Sequence, residues 1–241
     1  MFRNYITGIR LDEIPVDSYL SDLPLIAYLK DNELKLTKPV TFLVGENGTG
    51  KSTLLEAIAV ASGFNGEGGS RDFSFSTRES HSSLYEYITL IKSIKPKDGF
   101  FLRAESFYNA ATYLEESGSQ MFRYGGKSLH EQSHGEAFLS LVKYRFEGNG
   151  IYLLDEPEAA LSPLKIMSLL VAIDDLVRRN SQFIIATHSP ILMAYPDAVI
   201  LEFDEDGIHE TAYQDTRHYR LTRQFMEHPE QMMHYLLEKE E

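Results

Sequence analysis

Residues 42–53 read Phe-Leu-Val-Gly-Glu-Asn-Gly-Thr-Gly-Lys-Ser-Thr. The apolar run Phe42-Leu43-Val44 stops at Gly45, and Gly50, Lys51 and Ser52 complete the spacing G-x-x-x-x-G-K-[ST]. Leu54-Leu55-Glu56-Ala57-Ile58 then reads on as a helix. Strand, glycine loop and helix form the context in which this spacing cradles phosphate. Glycines at 45, 48 and 50 let the backbone curl so that its N–H groups point inward at phosphate oxygens. The helix start at Lys51 adds the positive end of its dipole. On this reading Gly45, Asn47, Gly48, Thr49, Gly50, Lys51, Ser52 and Thr53 form the cradle. Lys51 reaches the β- and γ-phosphates, and the Ser52 hydroxyl takes Mg²⁺.

Composition sets limits on the rest. A chain of 241 residues, 43% of them apolar, can bury a sizeable core and reads as globular. The absence of cysteine removes a disulfide framework and a thiolate metal site, and it fits a reducing cytoplasm. The opening Met-Phe-Arg-Asn-Tyr lacks the apolar core of a signal peptide. No apolar run approaches the ~18 residues of a membrane span, so direct membrane insertion is not expected. The net charge of −13 weakens long-range attraction to nucleic acid. It leaves nucleic acid possible through a local basic patch such as Arg217, Arg220 and Arg223, which also reads as a solvated helix face.

Taken in order, the chain predicts a first strand within 2–11 and a hairpin from 25–29 and 34–36. The buried strand 40–44 leads into the glycine loop, and a helix covers about 51–62. A glycine-rich loop at 63–72 precedes a short strand at Phe73–Ser76, a helix over 79–92, an apolar strand at 99–104 and a helix over 106–116. Ser133-His134-Gly135-Glu136 has capping-box spacing and opens a helix to about Phe146. Ile151–Leu154 and Gln182–Thr187 are buried strands, and Ser162-Pro163 caps a helix to about Arg179. Val199–Phe203 and Ile208–Tyr213 flank a turn, and an amphipathic helix follows from about Asp215. Apolar strands alternating with helices imply an α/β fold whose mainly parallel sheet is covered on both faces, with antiparallel N-terminal pieces and a small helical insert.

The strand 151–154 ends in Asp155-Glu156, at the carboxyl edge where such sheets bind ligands. Successive residues there diverge, so Asp155 can hold Mg²⁺ while Glu156 faces the γ-phosphate and orients the attacking water. His188 ends the next strand, where its imidazole can bond the γ-phosphate or that water.

In this order the motifs resemble an ABC-type ATPase. Gly45–Thr53 stands as Walker A, Ser133-His134-Gly135-Glu136 as signature, Asp155-Glu156 as Walker B with its glutamate, Ala160-Leu161-Ser162 in the D-loop place, and His188 as switch histidine. The resemblance spans about residues 36–190. It implies two copies meeting head to tail on ATP, with Ser133 and the Gly135 N–H of one contacting the γ-phosphate held by the other. The chain departs from the family at three points. His134 replaces the first signature glycine, Glu105-Ser106 stands where a Q-loop glutamine is expected, and the D-loop lacks its aspartate. Glu105 is then a candidate third metal ligand. Tyr5 and Tyr28 are candidates to stack on adenine, although core packing suits both. The departures look more like stand-alone ATPases of the ABC/AAA-like group, related to chromosome-maintenance, repair and overcoming-lysogeny ATPases, than like a transporter subunit.

The expectation is therefore one ATPase domain. A nucleotide lobe comprises 1–63 and 133–241, and an insert comprises about 64–132. Lys51, Glu156 and His188 act on ATP-Mg²⁺ in a homodimer that drives a protein partner of unknown identity in a nucleic-acid-related or defence role. A transporter's nucleotide-binding subunit and a low-turnover ATP-binding regulator are the alternatives.

Overall fold

The computed structural model describes residues 4–15, 18–70, 82–104, 107 and 132–237. In chain order the elements are β1 (Ile6–Leu11), α1 (Pro24–Asp31), β2 (Leu34–Lys35), β3 (Val40–Gly45), α2 (Lys51–Ala61), β4 (Ile88–Lys92) and β5 (Asp98–Arg103). They continue with α3 (His134–Arg145), β6 (Gly150–Asp155), α4 (Pro163–Arg178), β7 (Gln182–Ala186), α5 (Pro190–Met193), β8 (Val199–Asp204), β9 (Gly207–Glu210), α6 (Arg217–Glu227) and α7 (Pro229–Leu237). No described helix is long and apolar enough to cross a membrane.

Six strands form the main sheet in the order β5-β6-β7-β3-β8-β9. All neighbours run parallel except the β8–β9 hairpin. The central strands β3, β6 and β7 are buried along their whole length, because both faces of a parallel sheet are covered. Alternate residues feed two cores. Phe42, Tyr152 and Leu154 join Phe138, Leu141 and Leu169 from α3 and α4. Leu43, Leu153 and Ile184 join Leu54 and Ile58 from α2. Register then decides what stands level at the carboxyl edge. Arg103 pairs with Asp155, Asp155 with Ala186, and Gly45 with Phe203.

A three-stranded antiparallel sheet, β2-β1-β4, packs over the α2 face. A fully buried glutamine joins it to the main sheet. Gln182 Oε1 accepts from the backbone N–H of Tyr5 and Ile6, and its Nε2 donates to the Ile6 carbonyl. This satisfies both ends of an amide that would otherwise be costly to bury.

Two expected elements are replaced. Residues 24–31 form α1, not the first arm of a hairpin. Pro24 stands at the helix start, where its fixed φ and missing N–H cost nothing, and Leu25, Ile26 and Leu29 share one buried face. The helix expected over 79–92 is, within the described residues, a 3₁₀ turn at Ser83–Tyr87 followed by β4, which pairs with β1. Ile88, Thr89 and Ile91 are β-branched and suit the strand. Among the described residues, the segment 64–132 therefore gives one strand to each sheet. The strand expected at Phe73–Ser76 and the helix expected at 106–116 lie outside the described residues, apart from Phe107. The C-terminal helix is two helices, parted at His228-Pro229, where proline restricts the residue before it.

Candidate nucleotide site

The glycine loop joins β3 to α2 with Gly45, Gly48 and Gly50 all at positive φ. At Gly45 (φ +144°) a Cβ would lie 2.3 Å from the Phe203 carbonyl oxygen, so β8 leaves no room for a side chain. Lys51 is buried, and its Nζ donates to the Glu46 carbonyl across the loop at 2.8 Å. Burial pulls its pKa down, against the upward pull of Glu156, Asp155, Glu46 and Glu158. A lysine amid four carboxylates sits at the centre of the constellation.

At one side of Lys51 is a pair of convergent oxygens. Ser52 Oγ donates to Asp155 Oδ1 at 2.9 Å, and Asp155 is 6% exposed. Mg²⁺ takes one or two protein oxygens and fills the remaining positions with phosphate and water, so this donor set fits it. Arg103 stands beside the pair. Its Nε lies 3.4 Å from Asp155 Oδ2, and one of its terminal nitrogens donates to Glu56 Oε2 at 2.6 Å. Glu56 Oε1 accepts from the Ser82 N–H at 2.7 Å. Sequence reading gave Arg103 no role here. Its position level with Asp155 follows from strand register, which only the fold reveals. Glu105, the expected third metal ligand, lies outside the described residues.

Glu156 also acts on Lys51, and His188 stands beside it. Glu156 adopts a left-handed conformation (φ +48°) ahead of Pro157, and its N–H donates to the Ala186 carbonyl. That backbone is uncommon for a residue bearing a Cβ and turns the side chain away from the strand, leaving it 41% exposed. Glu156 Oε1 is 3.4 Å from His188 Nε2. Two residues that were not foreseen hold His188. Glu158 Oε1 accepts from the His188 N–H at 2.5 Å and from the Thr187 hydroxyl at 2.7 Å. His188 Nδ1 is 3.0 Å from His218 Nε2 on α6. Glu158 could have been suspected from its nearness to Asp155-Glu156, but nothing in the sequence signals His218.

Ser133 and Gly135 stand at a second place. Glu136 Oε2 accepts from both the N–H and the hydroxyl of Ser133, at 3.0 and 2.6 Å, and Lys165 Nζ donates to the same hydroxyl at 3.0 Å. A Cβ on Gly135 would meet the Ala160 carbonyl at 2.8 Å, so the start of α3 packs tightly on the 160–165 segment. The His134 ring lies 5.3 Å from Phe107. The expected residues thus fall into two groups, one around Lys51 and one at the start of α3.

Beside the glycine loop is a cleft of about 1010 Å³. Glu46 to Thr49 line one side and Arg217, His218 and Arg220 the other. Neither Tyr5 nor Tyr28 is among its lining residues. Tyr5 is buried, with its hydroxyl donating to the Asn180 carbonyl, and the Tyr28 ring packs on Gly207. Both serve the packing of the fold, as their alternative reading had it.

A family model described as "AAA domain" matches residues 25–139. A second, described as "AAA domain, putative AbiEii toxin, Type IV TA system", matches residues 136–194. Together they run from α1 through the glycine loop and Asp155-Glu156 to His188. Among curated proteins, the pyoverdine export ATP-binding/permease protein PvdT of Pseudomonas syringae pv. syringae is 27% identical over 79% of this chain and 32% of its own length. The Pseudomonas fluorescens protein of the same name is 26% identical over 80% and 32%. The chain thus spans about a third of the length of these relatives. Among solved structures, cbiO1 from Clostridium perfringens, part of the ABC transporter complex cbiONQ, superposes with a TM-score of 0.52 at 15% identity, covering 97% of this chain and 99% of that one. With the glycine loop, the strand-end acids and the parallel sheet in place, the chain has the P-loop fold of ABC-type ATPases and is similar to that family.

Proposed function

We propose that the protein hydrolyses ATP with Mg²⁺ in a head-to-tail homodimer closed by ATP. The observation that carries this reading is the assembly of Lys51, the Ser52–Asp155 pair and the Glu156–His188 pair along one edge of the sheet. Ser52 and Asp155 would hold the metal ion, which when bound neutralises phosphate charge. The backbone N–H groups of 45–50 and Lys51 bind the β- and γ-phosphates. Glu156 orients the attacking water and takes its proton, and His188 holds the γ-phosphate end. Ser133 and the Gly135 N–H contact the γ-phosphate held by the other copy. Their position at a helix start, apart from Lys51, suits contact across a dimer. The dimer acts as a cytoplasmic switch on a protein partner in a nucleic-acid-related or defence role.

The test is Glu156→Gln with ATP. Retained ATP binding, lost phosphate release and a shift from monomer to dimer in light scattering support the reading. Unchanged turnover, or a monomer at saturating ATP, overturns it. A second reading, the nucleotide-binding subunit of a transporter, draws on the likeness to export proteins. Co-purification with a membrane permease would decide for it.

A further inference from the structure

We propose that His218 is a positioning residue for hydrolysis, fixing the tautomer of His188 so that its Nε2–H faces Glu156 and the phosphate. The inference rests on the hydrolytic role given above to Glu156 and His188.

A neutral imidazole carries one N–H, so only one ring of a histidine pair donates to the other. His188 Nδ1 and His218 Nε2 are 3.0 Å apart, which leaves two arrangements. In the first, His188 donates from Nδ1. Its Nε2 is then a bare lone pair 3.4 Å from the Glu156 carboxylate, and two acceptors face each other. In the second, His218 donates from Nε2. The proton of His188 then sits on Nε2, the nitrogen 3.4 Å from Glu156 Oε1. Electrostatics selects the second. Burial, together with the neighbouring His188, holds the pKa of His218 below its ordinary value and so favours its neutral form.

The orphaned atoms agree with this arrangement. His188 Nε2 and His218 Nδ1 are buried, and neither has a hydrogen-bond partner. The ion-pair distance of 3.4 Å from His188 Nε2 to Glu156 is too long and poorly aimed to satisfy that nitrogen. The second arrangement makes His188 Nε2 an unused donor beside the phosphate cradle and His218 Nδ1 a spare acceptor. A γ-phosphate oxygen is the acceptor that such a donor lacks.

The first turn of α6 is tied down in a way that sets the His218 ring. Thr216 is fully buried, donates to the Tyr213 carbonyl at 2.9 Å and accepts from the Tyr219 N–H at 3.3 Å. The Arg217 N–H donates to Glu202 Oε1 at 3.0 Å, and the Arg217 guanidinium lies 3.5 Å from Glu46 Oε1 in the glycine loop. The helix start is thus tethered to β8 and to the loop that holds Lys51. A carboxylate or carbonyl commonly orients a functional histidine from behind, and here a second histidine fills that place with the opposite polarity. It donates to Nδ1, so it selects the Nε2–H form.

The experiment is long-range ¹H–¹⁵N NMR of the His188 ring in unliganded protein at pH 7.5, for wild type, His218→Ala and His218→Gln, with ATPase kinetics on each. The wild type should show the Nε2–H tautomer, and His218→Ala a mixture of tautomers. His218→Gln, whose side-chain N–H can donate to Nδ1, should restore Nε2–H. Turnover should fall about ten-fold or more in His218→Ala and recover in His218→Gln, with KM for ATP nearly constant. A wild-type His188 carrying its proton on Nδ1 overturns the proposal. So does a His218→Ala variant with an unaltered tautomer and unaltered turnover. A wild-type protein that binds ATP but never releases phosphate overturns the hydrolytic reading and the catalytic half of the proposal, while the tautomer itself is still read by NMR.

Discussion

Asp155 and Glu156 are adjacent in sequence and opposite in circumstance. Asp155 ends a buried strand, is 6% exposed and has one oxygen on Ser52 and the other beside Arg103. Glu156 has left the strand with φ at +48°, and its side chain is 41% exposed beside His188. The end proposed for the cation is built from charges that restrain one another, and the end proposed for water from groups that keep unused hydrogen-bonding capacity. Rigidity suits a fixed metal position. Spare donors and acceptors suit a reactant that comes and goes. One strand end can serve both purposes if its last two residues differ in backbone conformation.

The contrast can be broken at either end. Glu156→Gln should lower turnover by about 10² to 10⁴-fold with little change in melting temperature, because the side chain is half-exposed and restrains nothing buried. Phosphate release and thermal melting on the same sample check both halves. Arg103→Ala should do the reverse in kind. It leaves Glu56 and Asp155 facing each other in a buried site without their cation and should cost about 2–3 kcal/mol of stability, read as several degrees of melting temperature. A melting curve that does not move would mean that water already screens the pair.

A gentler probe is pH. The folded-state pKa of His218 lies below its unfolded value, so its contribution to docking α6 is complete above about pH 6.5 and is lost as pH falls through the folded value. The groups facing it are His188, Glu46, Glu202 and Lys51. Taking the protein from pH 7.5 to pH 5.5 should lower the protection of the Tyr219 amide, relative to its intrinsic exchange rate at each pH, and leave the amides of β6 protected. Equal protection of Tyr219 at both values would sink this. The smallest effect is expected from Arg223→Ala. Its partner Glu227 is four residues on and both are exposed, so the melting temperature should stay where it was.

What the sequence made legible was what is local. The glycine loop, the strands around it and the paired acids are contiguous runs whose apolar pattern and turn chemistry lie within a few residues. Their edges were placed within one or two residues, as at Gly150–Asp155 and Lys51–Ala61. Residues 24–31 and 88–92 were misread because an eight-residue helix and a five-residue strand carry too few turns or alternations to fix a period. Arg103 and His218 were missed for a different reason. Strand register brings Arg103 to Asp155 across 51 intervening positions, and His218 reaches His188 from an element added after the sheet is complete. Placement of that kind is a property of the topology and leaves no mark in neighbouring residues.

The attachment of α6 has a consequence in time. No residue of α6 or α7 is fully buried, so hydrogen bonds and ion pairs at the first turn do most of the holding. An element with little apolar burial detaches at low free energy and far more often than the domain unfolds. On the arrangement proposed above, each detachment would remove His218 from behind His188 and free the proton to exchange between its two nitrogens. The histidine is then competent only for the fraction of time that α6 is docked. Any ligand that grips the helix pair, at whatever distance from phosphate, would set the duty cycle of the chemistry.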